Sequence, residues 1–135
     1  MATGDAAAPS RYNRTMPLFL VMSGGALGAG ARYLVGRAVG VKAFPYATLG
    51  VNVAGGLMMG LLAGALARNG AAEGWRLFLA TGVLGGFTTF SAFSLDVVTL
   101  AERGQLMAAT VYLALSVAGS IGALIAGLAL VRVAA

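Results

Sequence analysis

Tyr112, Ser116 and Ser120 recur at intervals of four residues in an otherwise apolar stretch. On a helix that spacing places three hydroxyls along one face. A lone serine can return its hydroxyl to the carbonyl four residues earlier. Tyr112 cannot reach its own backbone in this way, so the row reads as a ladder of donors without fixed charge. Asn52 sits in a second apolar stretch, with Thr48 and Gly56 four residues to either side. An unpartnered amide in hydrocarbon costs several kcal/mol. Asn52 therefore faces either a partner helix, as an interhelical hydrogen bond, or a wet cavity, as a donor to a permeating anion.

The third unusual stretch runs from Gly82 to Phe93 and contains Gly85-Gly86 followed by Thr88-Thr89. These residues make a poor helix, and the segment is predicted to break or unwind near Gly85–Ser91. Non-helical backbone at membrane depth is tolerated only where it is buried or lines a cavity. Carbonyls freed at such a break can hold a hard cation. Phe90 and Phe93, three residues apart, lie roughly on one face. Their ring edges would attract an anion and their ring faces a cation. Arg32 and Asp96 are the only charges inside the apolar stretches. Ionisable residues in such places are functional candidates. They pair with each other, line a vestibule, or snorkel to a nearby helix end.

Four stretches must position these groups: Met16–Gly36, Ala47–Ala67, Leu77–Leu100 and Gln105–Val131. Each is long enough to span a bilayer as a helix, and together they cover more than two-thirds of the chain. The expected architecture is an all-α membrane protein of four transmembrane helices, the third broken mid-membrane. Residues 1–15 form a polar, Ala-rich tail expected to be disordered, and residues 16–135 form the transmembrane domain. Arg11 and Arg14 before an apolar run also resemble the start of a signal peptide. The Gly-rich first run and the odd topology of three remaining spans favour a retained helix. Pro45-Tyr46 marks an interfacial turn, Asn69-Gly70 another, and Trp75 an interface anchor. Short connections give an up-down-up-down bundle with both termini on one side.

Small residues recur at intervals of four in every span: Gly24 and Gly28; Gly56, Gly60 and Gly64; Gly82 and Gly86; Gly119, Ala123 and Gly127. That pattern lets helix backbones approach closely in lipid. Lys and Arg divide almost evenly between the two sides. Arg11, Arg14, Arg68, Arg76 and Arg132 lie on one, and Arg37, Lys42, Arg103 and Arg32 on the other. Either the first helix decides the orientation, or the chain inserts both ways and pairs with its own inverted copy.

Composition excludes much. Of 135 residues 59% are hydrophobic and 10% charged, against about 25% charged in soluble domains, so a soluble enzyme with its own aqueous domain is ruled out. The chain has no Cys and no His, which removes thiolate chemistry and the usual physiological-pH proton carrier. No Walker-type phosphate loop occurs. The net charge of +5 is scattered over loops and helix ends. It suits anionic lipid headgroups in the bilayer and implies no nucleic-acid partner.

The stretch Gly24-Gly25-Ala26-Leu27-Gly28-Ala29-Gly30-Ala31-Arg32-Tyr33 resembles the first motif of the Fluc (CrcB) fluoride ion channel family. Pro45-Tyr46-Ala47-Thr48-Leu49-Gly50-Val51-Asn52 resembles its second, and Gly85-Gly86-Phe87-Thr88-Thr89-Phe90-Ser91-Ala92-Phe93 its third. Each motif alone is modest, but three in order on a four-span chain make a strong match over about residues 16–131. The resemblance implies an antiparallel dual-topology homodimer with two fluoride pores. It implies a structural sodium ion at the dimer centre, held by the backbone carbonyls of Gly85 and Thr88. It implies pore roles for Asn52, Thr89, Phe90, Ser91 and Phe93, and a polar track of Tyr112, Ser116 and Ser120. Arg32 becomes a vestibule charge, as does Asp96, which falls where the family often has Glu. Ala47 stands in place of a usual Gly and Ala92 in place of a usual Thr. The second departure removes a hydroxyl near the pore.

The implied activity is passive export of fluoride from the cytoplasm across a bacterial inner (plasma) membrane, with no catalysis. Fluoride is small, hard and strongly hydrated, so a pore must replace its water with many donors without trapping it. Neutral Asn, Ser, Thr and Tyr groups with Phe edges meet that demand. A dual-topology exporter of the small multidrug type has a similar length and helix number. It needs a membrane-embedded Glu in its first helix, and Met16–Gly36 contains no acid. A structural subunit of a larger complex would not need Asn52, the Thr88-Thr89 break and the hydroxyl row together.

Overall fold

The computed structural model describes residues 15–69 and 72–134. Residues 1–14 of the expected N-terminal tail and the Gly70 half of the expected second turn lie outside them, while Thr15, expected in the tail, opens the first helix. Four helical segments are long and apolar enough to cross a membrane: Met16–Val39, Tyr46–Arg68, Glu73–Glu102 and Leu106–Val133. All four begin or end beyond the apolar cores expected from the sequence. Charged residues such as Arg37, Arg68 and Glu73 sit inside helical ends, because an α-helix satisfies its own backbone whatever its side chains.

The first two segments are α1 (Thr15–Val39) and α2 (Tyr46–Asn69). Pro45 accepts the first bond of α2 through Leu49 N–H. The third is composite: α3 (Glu73–Trp75), a π-helical stretch Arg76–Leu84, α4 (Gly85–Phe87) and, after an interruption, α5 (Phe90–Glu102). The fourth is α6 (Leu106–Val133), entered by a turn in which Gly104 takes a φ of 73°. That left-handed value suits glycine.

Two seams of small residues hold the bundle, and each joins alternate spans. In the first, α1 packs on the front half of the third span. A methyl added at Gly24 would meet Phe78 O and Gly82 Cα, and one at Gly28 would meet Val83 O and Phe87 N. In the second, α2 packs on α6. A methyl at Gly56 would strike Ser120 O, one at Gly60 Leu124 O, and one at Gly127 Leu57 O. Residue numbers rise together along both seams, so the paired helices run parallel and the four spans alternate in direction. Glycine permits this because the backbones themselves are in contact. Among the described residues, Phe93, Leu100, Ala109 and Tyr112 form the buried cluster between α5 and α6. Most large apolar side chains point outward, Phe19, Leu34, Ile121 and Ile125 among them, as lipid contact requires.

Candidate functional site

The third span is interrupted only at Thr88 and Thr89, at the middle of its 30 residues. Thr88 (φ −78°, ψ 160°) and Thr89 (φ −152°, ψ 119°) are extended, a conformation suited to β-branched residues. The break is narrower than the one expected over Gly85–Ser91. Gly85 and Gly86 remain helical, with Gly86 pressed against the backbone of Gly25 in α1. The π-helical stretch ahead of them has no signal in its residue types.

Side chains from three directions hold the break. Asn52 on α2 reads Thr89 twice: its Nδ2 donates to Thr89 O at 3.0 Å, and its Oδ1 accepts from Thr89 N–H at 2.8 Å. The interhelical reading of Asn52 is therefore realised, with one Nδ2 hydrogen outside this pair. Thr88 directs its Cγ2 methyl onto Gly55, where an added methyl would collide with it. Its hydroxyl and its N–H both donate to Leu84 O at 3.0 Å. Thr89 Oγ1 caps α5 by accepting from Ala92 N–H at 3.2 Å, and lies 3.4 Å from Ser91 Oγ. An unbroken helix would direct Thr89 N–H to Gly85 O and Ala92 N–H to Thr88 O. Both donors are diverted to side chains. Arg32 on α1 donates from Nε to Gly86 O at 3.3 Å.

A pocket of about 310 Å³ opens beside the break, and its lining includes Asn52, Thr88, Thr89, Phe90 and Ser120. Five candidates from three spans thus share one wall, and none carries a charge. Phe90 is 78% exposed and Phe93 only 7%, although their ring centroids are 5.4 Å apart. Phe93 leads to a second group, with its ring 5.4 Å from that of Tyr112. Tyr112 is fully buried and donates to Asp96 Oδ2 at 3.0 Å. Arg32 and Asp96 therefore go to separate partners and do not pair.

The hydroxyls along the helices behave in two ways. Those of Ser23, Ser94 and Thr110 each donate to the carbonyl four residues earlier. Ser116 Oγ is shut off from solvent and makes no hydrogen bond to any described residue. Back-bonding therefore does not account for Ser116. Thr48 and Ser116 flank the Tyr112 oxygen, which makes Thr48 part of this group. Its place one turn before Asn52 was the available signal. Phe44 packs edge-on against Tyr112 at 5.5 Å, and no spacing rule ties a loop residue to that ring.

The family model described as CrcB-like protein, Camphor Resistance (CrcB), matches residues 19–128. The chain belongs to the CrcB family. Among CrcB relatives, a protein of Chelativorans sp. (strain BNC1) is 59% identical over 120 residues, covering 85% of this chain and 95% of that one. A protein of Sphingopyxis alaskensis is 53% identical over 119 residues, 85% of this chain and 94% of its own. One of Rhodospirillum centenum is 53% identical over 126 residues, 87% of this chain and 96% of its own. All three are named fluoride-specific ion channel FluC. The matched CrcB region contains the whole break, both glycine seams and every candidate residue, from Arg32 to Ser120.

Proposed function

We propose that this CrcB chain is a fluoride-selective ion channel, working in a plasma membrane as an antiparallel dimer of two inverted copies with two pores. The observation that carries the reading is the uncharged, mostly apolar wall at the break, where the polar groups of Asn52, Thr89 and Ser120 stand beside the exposed Phe90 ring. Such a wall can exchange a small anion's water for donors without the deep trap of a fixed cation. Ser116, buried beside the Tyr112 oxygen and without a hydrogen-bond partner among the described residues, is available to donate to a passing anion. The names carried by the relatives agree. The even division of Lys and Arg supports insertion in both orientations.

A sodium ion at the dimer centre completes the proposal. The residues present fit a hard cation, which is bound by oxygen. Gly85 O and Thr88 O are two of the carbonyls freed at the break, their helical donors being diverted to side chains, and they would be its protein ligands from each copy. Bound there, the ion supplies a fixed positive potential that does not titrate. The chain's own part is to hold the break open, through Asn52 and the Thr89 cap, and to offer neutral donors along the path. Export is passive. Fluoride brought in as HF is driven out by the inside-negative potential, at ~2.3 kcal/mol per charge for ~100 mV. No catalysis is involved.

The test is efflux from liposomes carrying the purified protein, followed with a fluoride electrode under an imposed potential and with a chloride-loaded control. Fast fluoride loss with chloride retained is expected. Retention of fluoride by folded, dimeric protein would refute the reading.

A further inference from the structure

Arg32 has a geometric task distinct from that of a vestibule charge. It is the third member of a four-residue register on α1: Gly24 abuts Phe78 and Gly82, Gly28 abuts Val83 and Phe87, and Arg32 follows one turn on. The two glycines bring the α1 backbone against the third span just before the break. At that separation the next side chain on the same face arrives level with α4, and there Arg32 Nε donates to Gly86 O at 3.3 Å. Phe90 opens a new helix beyond two extended residues. Its N–H no longer serves the Gly86 carbonyl as it would in an unbroken ladder.

We infer that Arg32 is a positioning residue, whose Nε–H replaces the lost helical donor at Gly86 and fixes the α1 side of the break, as Asn52 fixes its α2 side. The inference rests on the channel reading and deepens it. The break is gripped from two helices at carbonyls and amides three residues apart, so its extended backbone is determined from outside the third span. A cavity of about 100 Å³ lined by Arg32, Thr48 and Thr89, among others, lies between Arg32 and the break. Hydrogen bonding, and not charge, is what this role requires of the guanidinium.

Replacing Arg32 with citrulline, which keeps the Nε–H and loses the charge, separates the two roles. The protein is reconstituted in nanodiscs for amide hydrogen exchange over 85–91 and in liposomes for fluoride efflux. Arg32→Ala is expected to exchange about fivefold faster over that segment, as loss of one net hydrogen bond implies, and to lose most of its efflux. Arg32→citrulline is expected to match the wild type in both. Citrulline protein as impaired as the alanine variant would overturn the inference in favour of charge, and so would unchanged exchange in Arg32→Ala. If the alanine variant does not insert, the citrulline protein decides alone by the same two readouts. A wild type that releases no fluoride refutes the channel reading, while the exchange results still judge Arg32.

Discussion

The two glycine seams begin alike and end differently. Along α2 and α6 the contact runs without interruption from Gly56 to Gly64, against a carbonyl at Gly56 and Gly60 and against the Val131 side chain at Gly64. Along α1 the same packing serves Gly24 and Gly28, then gives way to Arg32, Gly86 and two extended threonines. The α2–α6 seam is scaffold throughout. The α1 seam shows that close packing also sets up chemistry, because it delivers long polar side chains to a backbone that has left its own hydrogen-bond ladder.

The sharpest way to break this contrast is at Asn52. In Asn52→Asp the donor to Thr89 O becomes an acceptor facing an acceptor. Fluoride efflux should fall by about 100-fold, the scale of losing one preorganised donor, with the protein still eluting at the wild-type position on size exclusion. Retained efflux would show that the break does not depend on this grip. The two phenylalanines come next. Phe93→Ala empties a buried contact with Tyr112 and should cost about 3 kcal/mol in reversible unfolding. Phe90→Ile, on an exposed ring, should leave unfolding unchanged while abolishing efflux. Equal effects on stability would erase the distinction between the buried ring and the exposed one.

Smaller effects test the scaffold seam. Gly60→Ala drives a methyl into Leu124 O and should cost about 1–3 kcal/mol by overpacking. Gly122→Ala, with open space around its Cα in the chain, should stay within about 0.5 kcal/mol. Thermal unfolding of the two variants side by side reads the difference. Smallest is Ser116→Ala, which removes a buried hydroxyl that bonds to no described residue. Stability should hold or rise by up to about 1 kcal/mol, while efflux declines. A clear loss of stability would mean that Ser116 bonds within the protein after all.

Much of this was legible in the residues themselves. Four apolar runs gave the spans, spacing by four gave the small-residue faces, and Gly85-Gly86 with Thr88-Thr89 located the break to within a turn. Which faces meet was not legible. Gly24 and Gly56 look alike in sequence, and only the folded chain sends one to the third span and the other to α6. The partners of Arg32 and Asp96 were hidden for the same reason: they lie 54 and 16 residues away, and periodicity speaks only within one helix. The π-helical stretch is a backbone adjustment within an ordinary apolar run, so no residue type announces it. Asn52 was recognised as an amide in need of a partner. Its two hydrogen bonds to a backbone that has left the helical ladder could not be anticipated from spacing.

The alternate pairing of the spans bears on how the protein is made. While the ribosome has delivered only α1 and α2, neither glycine face has met its partner; α1 must wait for Gly82 and α2 for Gly127. The two halves of the chain are therefore not separable folding units. Each is a clasp whose catch lies in the other half, and a polypeptide cut between Asn69 and Ala72 should yield fragments that are degraded when expressed singly and accumulate when expressed together.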